Sequence, residues 1–345
     1  MLALVKTLSF EDSDFRTQLM RTSLSKLFAS TCICMFLAAC ASPMPSVPVP
    51  DEKLAQARVR FAEAGKDSWE AQSARIYKVT YRLAAAAADR GLCDTARLDR
   101  GVLLSGAVPL PSRLENELAA LGQRRSDSIV VAVAPDGPAA RAGLRPGDIV
   151  NEPLSQWQTP AVSKEGEGAA PALTSVAVLS QNLPKTITMG TQSICDVNVV
   201  LEDSYVPSAY VVGGVLRDRR LIHVNLGMVQ ALADDDSLAF VIGHELGHII
   251  KRHNGYVGAL APSVSREQER EADLFGIRLA TYAGFDVSRI RDVFERVARF
   301  APNSVGQTWL GGHPLLAERG LRLNEAIAEL DRGQTTNNET TPTRR

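Results

Sequence analysis

Clustered positive charge is missing from this sequence. Its 38 Lys and Arg face 39 Asp and Glu, for a formal net charge of -1, and no long basic run occurs. Binding to nucleic-acid phosphates needs clustered Lys and Arg, so nucleic acid is not an expected partner. No internal segment approaches the roughly 20 apolar residues that span a bilayer. Cysteine is scarce, with five in 345 residues. What remains, 45% apolar and 22% charged, is ordinary globular composition, in a chain long enough for two or three domains.

The one sustained apolar stretch lies near the N-terminus, in "MRTSLSKLFASTCICMFLAAC" at 20–40. Arg21 and Lys26 form a basic start and Leu27 to Ala39 a short apolar core, the shape of a secretory signal. Its end, Leu37-Ala38-Ala39-Cys40, resembles the bacterial lipoprotein lipobox, in which the Cys becomes the lipidated first residue of the mature chain. The acidic residues among the first 19 are poor signal material, which points to Met20 as the true start. Ala41, next to Cys40, is not the Asp that retains lipoproteins at the inner membrane in enteric-type sorting. The expected location is therefore the periplasm of a Gram-negative bacterium, lipid-anchored to the outer membrane. Cys32 and Cys34 leave with the signal, so Cys93 and Cys195 remain, and an exported chain with two cysteines favours a disulfide.

After the signal (1–40), the Pro-rich "ASPMPSVPVP" (41–50) reads as an extended tether. A helical segment follows over 51–105, with helix expected to about 92. The stretch "SIVVAVAPDGPAARAGLRPGDIV" (128–150) gives a strand, a turn, a short helix and a second strand, with Gly143 and Gly147 where positive φ is needed. It resembles a PDZ domain of the bacterial protease-associated type, here placed at 106–198. Within it "KTITMG" and "CDVNVVL" read as strands, and "GVLLSG" (101–106) is a poor match to a carboxylate-gripping loop. From 199 to 331 the pattern changes again. "SAYVVGG" and "RLIHVNLG" read as a hairpin, then "DDDSLAFVIGHELGHIIKRH" as a helix capped within Asp234 to Ser237. Helices are expected over about 265–283, stopped by Gly284, and over about 286–300 and 314–331, before a polar tail (332–345) expected to lack structure.

His244, Glu245 and His248 sit in the apolar part of that helix. Residues four apart share a helix face, so both imidazoles can meet one ion. H-E-x-x-H on a helix is a zinc-protease pattern in which the Glu is a general base. Surface histidines on a charged helix would not follow the run Ala239-Phe240-Val241-Ile242. A catalytic zinc needs a third protein ligand and an open position. "EREAD" (269–273) offers Glu269, with Asp273 one turn on to hold a ligand His by its second nitrogen. Spacing alone does not choose among Glu267, Glu269 and Glu271. His253, five residues past His248, should point about 140° away on a continuing helix and lie at the surface. His223 alternates with Ile222 and Val224 on a strand and reads as structural.

"GHELGH", Glu269-x-x-Ala272-Asp273 and "HPLLAER" (313–319), in that order, resemble the HtpX/BepA-like zinc metallopeptidases of peptidase family M48, in their periplasmic lipoprotein branch. The resemblance covers about 200–331. It implies an α+β fold: a mainly helical zincin (gluzincin) protease domain with a small sheet, preceded by the PDZ-like domain. It also implies one Zn2+ per chain held by His244, His248 and Glu269, with Glu245 as base. His313 would lie near the metal, to support the transition state or to occlude the ion, and Arg319 matches the Arg of the same motif. Gly247 stands where the family more often has Ala, a change that weakens a helix by up to about 1 kcal/mol. The implied function is a zinc endopeptidase acting on unfolded or misassembled envelope proteins. The alternatives are a PDZ-containing, chaperone-like lipoprotein with a latched or weak site, and a small-peptide hydrolase.

Overall fold

The computed structural model describes residues 50–123, 125–126, 128–152, 161–163, 173–212, 221–253, 262–300 and 316–339. Cys40 and the signal, the tether up to Val49, and His313 lie outside them. The protein is a mixed helix and sheet fold. One unit runs to Ala57, of which only the first residues of helix α1 (Asp51–Asp89) are described, and a second runs from Arg58 onward. Among the described residues no helix is long and apolar enough to cross a membrane.

The helical segment is shorter than expected. α1 ends at Asp89, and strands β1 (Thr95–Asp99) and β2 (Val102–Leu104) follow. Its later turns bury Ile76, Val79 and Leu83 in the same core as Ile222, Leu238 and Phe240. α1 is thus a wall of the C-terminal domain rather than a separate segment. Two arginines brace that domain from it. Arg75 donates to Asp235 and to the carbonyls of Val229 and Leu232, and Arg82 donates to the carbonyl of Ala283 and lies over the Phe285 ring.

Between Cys93 and Cys195 the chain forms a β-rich module with a core of its own, built from Leu104, Val130, Leu144, Val150, Val176, Val178, Ile187 and Met189. After α2 (Ser112–Ala120) come β3 (Val130–Val133), the short α3 (Pro138–Arg141), β4 (Ile149–Val150), β5 (Ala161–Ser163), β6 (Thr174–Ser180), β7 (Leu183–Met189) and β8 (Gln192–Cys195). They pair antiparallel in the orders β5-β1-β8, β2-β3 and β4-β6-β7. Gly143 and Gly147 have φ of 85° and 90°, the turn conformations that β-carbons oppose. "CDVNVVL" is not one strand. It breaks after Cys195, and β9 (Asn198–Glu202) joins a different sheet. A disulfide joins Cys93 to Cys195 with Cα atoms 5.5 Å apart, so the module leaves the chain and returns to it through one neck.

The hairpin of β10 (Ala209–Val212) and β11 (Leu221–Asn225) takes β9 as a parallel neighbour, in the order β10-β11-β9. Among the described residues "RLIHVN" is therefore the central strand and β10 an edge. Ile222 and Val224 face the core, while His223 on the other side bonds Glu202 at 2.6 Å and stacks on Tyr210. Helices α4 (Leu226–Ala231), α5 (Asp235–Ile250), α6 (Pro262–Tyr282), α7 (Val293–Phe300) and α8 (Leu316–Glu339) complete the domain. α8 runs on into the polar tail expected to lack structure.

Candidate metal centre

α5 starts at an N-cap: the Asp234 carboxylate accepts the Ser237 amide at 2.8 Å and binds Arg296 of α7. From Ser237 to Gly247 the helix is wholly buried, against β10 on one side and α6 on another. Burying Leu238, Phe240, Ile242 and Leu246 stabilises the fold by roughly 1.5–3 kcal/mol each. That packing fixes the helix carrying His244 and Glu245, which are 2% and 1% exposed.

α6 crosses α5 closely because the contact is made by small residues. Gly243 faces Gly276, and a Cβ on Gly247 would lie 3.2 Å from the Phe275 ring and 3.3 Å from the Cα of Ala272. This gives a physical reason for Gly247 over Ala. The crossing brings Glu269, one helical turn or more before these contacts, to the two histidines. His244 Nε2 and His248 Nε2 are 3.0 Å apart, Glu269 Oε2 is 3.4 Å from the first, and Glu269 Oε1 is 3.5 Å from the second. Glu267 instead pairs with Arg270 in solvent, and Glu271 with Lys251 and His253.

These residues fit a zinc ion. Bonds of about 2.0–2.1 Å at tetrahedral angles set ligand atoms about 3.3 Å apart. The charge balance points the same way: Glu245, Glu269 and Asp273 are buried carboxylates, and Arg319 is the buried cation beside them. Buried charge is costly unless balanced, and a divalent cation supplies the missing positive charge.

His244 is held from behind. Its Nδ1 lies 2.9 Å from Asp273 Oδ1, so Nδ1 carries the hydrogen and Nε2 offers its lone pair to the centre. Arg319 of α8 holds Asp273 by two bonds, at 2.9 and 2.7 Å, and lies 3.3 Å from Glu269. Burial raises the Asp273 pKa, but the Arg319 charge and the His244 bond outweigh it and hold the carboxyl at about 2. For His244, burial lowers the pKa, but bonds to Asp273 and Glu269 win and raise it to about 9.

His253 does not follow the expectation of a surface residue. α5 ends at Ile250, Arg252 turns back with φ of 55°, and the His253 side chain is 7% exposed against His248. Angular extrapolation of the helix missed it. The "KRHNG" that follows the apolar run was the available signal for a helix stop.

Residues 179–261 and 255–327 match the model of peptidase family M48, and the match supports a metallopeptidase. No curated protein matches the chain. Among solved structures it is similar to "HtrA-type protease AlgW with decapeptide", at 24% identity and a TM-score of 0.18. That alignment covers 28% of this chain and 30% of the other.

Proposed function

We propose that this protein is a zinc-dependent endopeptidase that cleaves unfolded or misassembled cell-envelope proteins, from a lipid anchor at Cys40 on the periplasmic face of the outer membrane. The observation that carries the enzymatic part is the triangle of His244, His248 and Glu269, in which the two Nε2 atoms are 3.0 Å apart, Glu269 Oε2 is 3.4 Å from His244 Nε2 and Glu269 Oε1 is 3.5 Å from His248 Nε2. The location rests on the signal-like sequence ending in Cys40, and the PDZ-like reading of the β-module on its turn-rich sequence.

When bound by this triad, zinc supplies Lewis acidity toward a peptide carbonyl and an attacking water. The chain's own residues do the rest. Asp273 keeps the His244 hydrogen on Nδ1, and Arg319 keeps Asp273 ionised. Glu245, adjacent to the first ligand, accepts the proton of the attacking water and delivers it to the leaving amine. β10 lies at a sheet edge beside α5 and is the natural place for an extended substrate to pair by backbone hydrogen bonds. His313, carried over from the motif resemblance, is assigned to support the oxyanion.

The test is zinc content and casein cleavage in variants of the full chain. His244→Ala and Glu269→Gln should lose both. Glu245→Gln should keep zinc and lose turnover by about 10²–10⁴-fold, since the base is not a ligand. Zinc lost from Glu245→Gln but kept in Glu269→Gln would overturn the assignment. A binding or chaperone role, by contrast, would survive Glu245→Gln. Cys40→Ser should release the protein from the membrane fraction.

A further inference from the structure

His244 has a buried ion pair behind it, whereas His248 faces a different arrangement. The chain leaves α5 by a tight reversal. Lys251 caps the helix, and Arg252 takes a left-handed conformation in which glycine is the usual residue. Arg252 is held there by Asp94, at 2.9 and 2.8 Å. The reversal returns His253 to His248 twice over. Its amide donates to the His248 carbonyl at 3.0 Å, and its Nδ1 lies 2.9 Å from His248 Nδ1. On its far side, His253 Nε2 lies 3.2 Å from Glu271 Oε2, and Lys251 holds Glu271 Oε1 at 2.8 Å.

We propose that His253 and Glu271 form a positioning relay that holds His248 in the tautomer and orientation needed to bind zinc. This rests on the metal-centre reading above and deepens it. The hydrogen positions follow from one requirement. His248 Nε2 points at His244 and Glu269, so as a ligand it must offer a lone pair, and the hydrogen sits on Nδ1. The facing His253 nitrogen must then accept, which puts the His253 hydrogen on Nε2, aimed at Glu271. Lys251 anchors the carboxylate at the end. A carboxylate behind a ligand imidazole fixes its ring and raises its basicity; here the carboxylate acts through an intervening imidazole. His253 and Glu271 are positioning residues, since neither reaches the triangle of ligand atoms.

The side chain can be tested apart from the helix cap, because the cap is made by the His253 backbone. Zinc affinity of the full chain would be measured by competition with a chelator, beside the melting temperature of the zinc-free protein. His253→Ala should weaken zinc binding by about 10–100-fold, the range seen when such outer partners are lost. His253→Asn should recover part of that loss, because its side-chain oxygen can accept near the position of Nδ1. Glu271→Gln should weaken binding less than His253→Ala, and add nothing when His253 is already Ala, because it acts through that residue. Melting of the zinc-free protein should stay in place. Unchanged zinc affinity in His253→Ala, or additive losses in the double variant, overturns the relay while leaving the metal centre intact. Affinity losses that merely track lower melting temperatures overturn it as well. Failure of the wild-type chain to take up zinc overturns the metal-centre reading, and the relay with it.

Discussion

Gly243 and Gly276 meet backbone to backbone where α5 crosses α6. A Cβ on Gly243 would lie 3.2 Å from the Gly276 Cα, and a Cβ on Gly276 would lie 2.9 Å from the His244 amide nitrogen. Interhelical spacing, and with it the reach of Glu269 toward the histidines, is set at this contact. Neither glycine contributes a functional group, yet both determine where functional groups stand.

Gly276→Ala should therefore force the helices apart at the first ligand. The neighbouring atoms are backbone and cannot swing away, so overpacking of about 1–3 kcal/mol is expected. Loss of zinc stoichiometry should exceed the loss of folded protein, read by metal analysis beside circular dichroism. Full zinc occupancy in Gly276→Ala would count against this account of the spacing.

Arg319→Lys should fail to replace the arginine. One planar guanidinium spans both oxygens of Asp273 and lies 3.3 Å from Glu269, and an ammonium cannot match that fork. Removing one partner of a buried charged set typically costs about 3–5 kcal/mol. Lys should recover only part of that relative to Ala, measured by urea denaturation of the zinc-free protein.

Asp234 gives a pH signature. Burial raises its pKa, but bonds from Ser237 and Arg296 outweigh it and hold the carboxyl below its ordinary value of 3.8. A depressed folded-state pKa adds stability above the unfolded-state value, and that stability is lost as pH falls through the folded value. Asp234→Ala should cost about 0.5–2 kcal/mol near neutral pH, the usual loss for a removed cap. The gap to wild type should narrow as pH falls below 3.8 and through the lower folded value, where the Asp234 carboxyl takes up its proton. Denaturation followed from neutral pH downward decides it.

Substrate form should matter more than substrate sequence. Pairing along β10 needs free backbone groups, which a folded protein has already used. A reduced or destabilised protein should be cut much faster than its folded form, in a gel assay with both forms of one substrate. Equal rates would remove the edge-strand account.

The metal-centre candidates were legible because helix geometry is local. The i, i+4 spacing of His244 and His248, the cap near Asp234 and the turn glycines at 143 and 147 depend on a few adjacent residues each. Long-range relations were harder to read. Nothing in "NVVLE" announces that it pairs parallel to β11 rather than continuing β8. The burial of α1 beside α5 depends on packing partners some 160 positions away, as between Arg75 and Asp235. His253 departs from the angular rule for a different reason: the helix stops at Ile250, before it. Glu269 could not be separated from Glu267 and Glu271 by spacing, since all three lie on one helix. It took the crossing at Gly276 to turn one of them toward the histidines.

The bond between Cys93 and Cys195 also bears on how this chain can change. With the two Cα atoms 5.5 Å apart, the segment between them is a cassette whose ends meet, and it lends Val108, Leu118 and Ile194 to the core that also holds Leu238 and Phe240. Lengthening, shortening or exchanging that cassette leaves the helices around His244 their own covalent frame, because the splice points stay together whatever lies between them. The residues of the candidate metal centre and those of the β-module are thereby placed on separate stretches of one polypeptide.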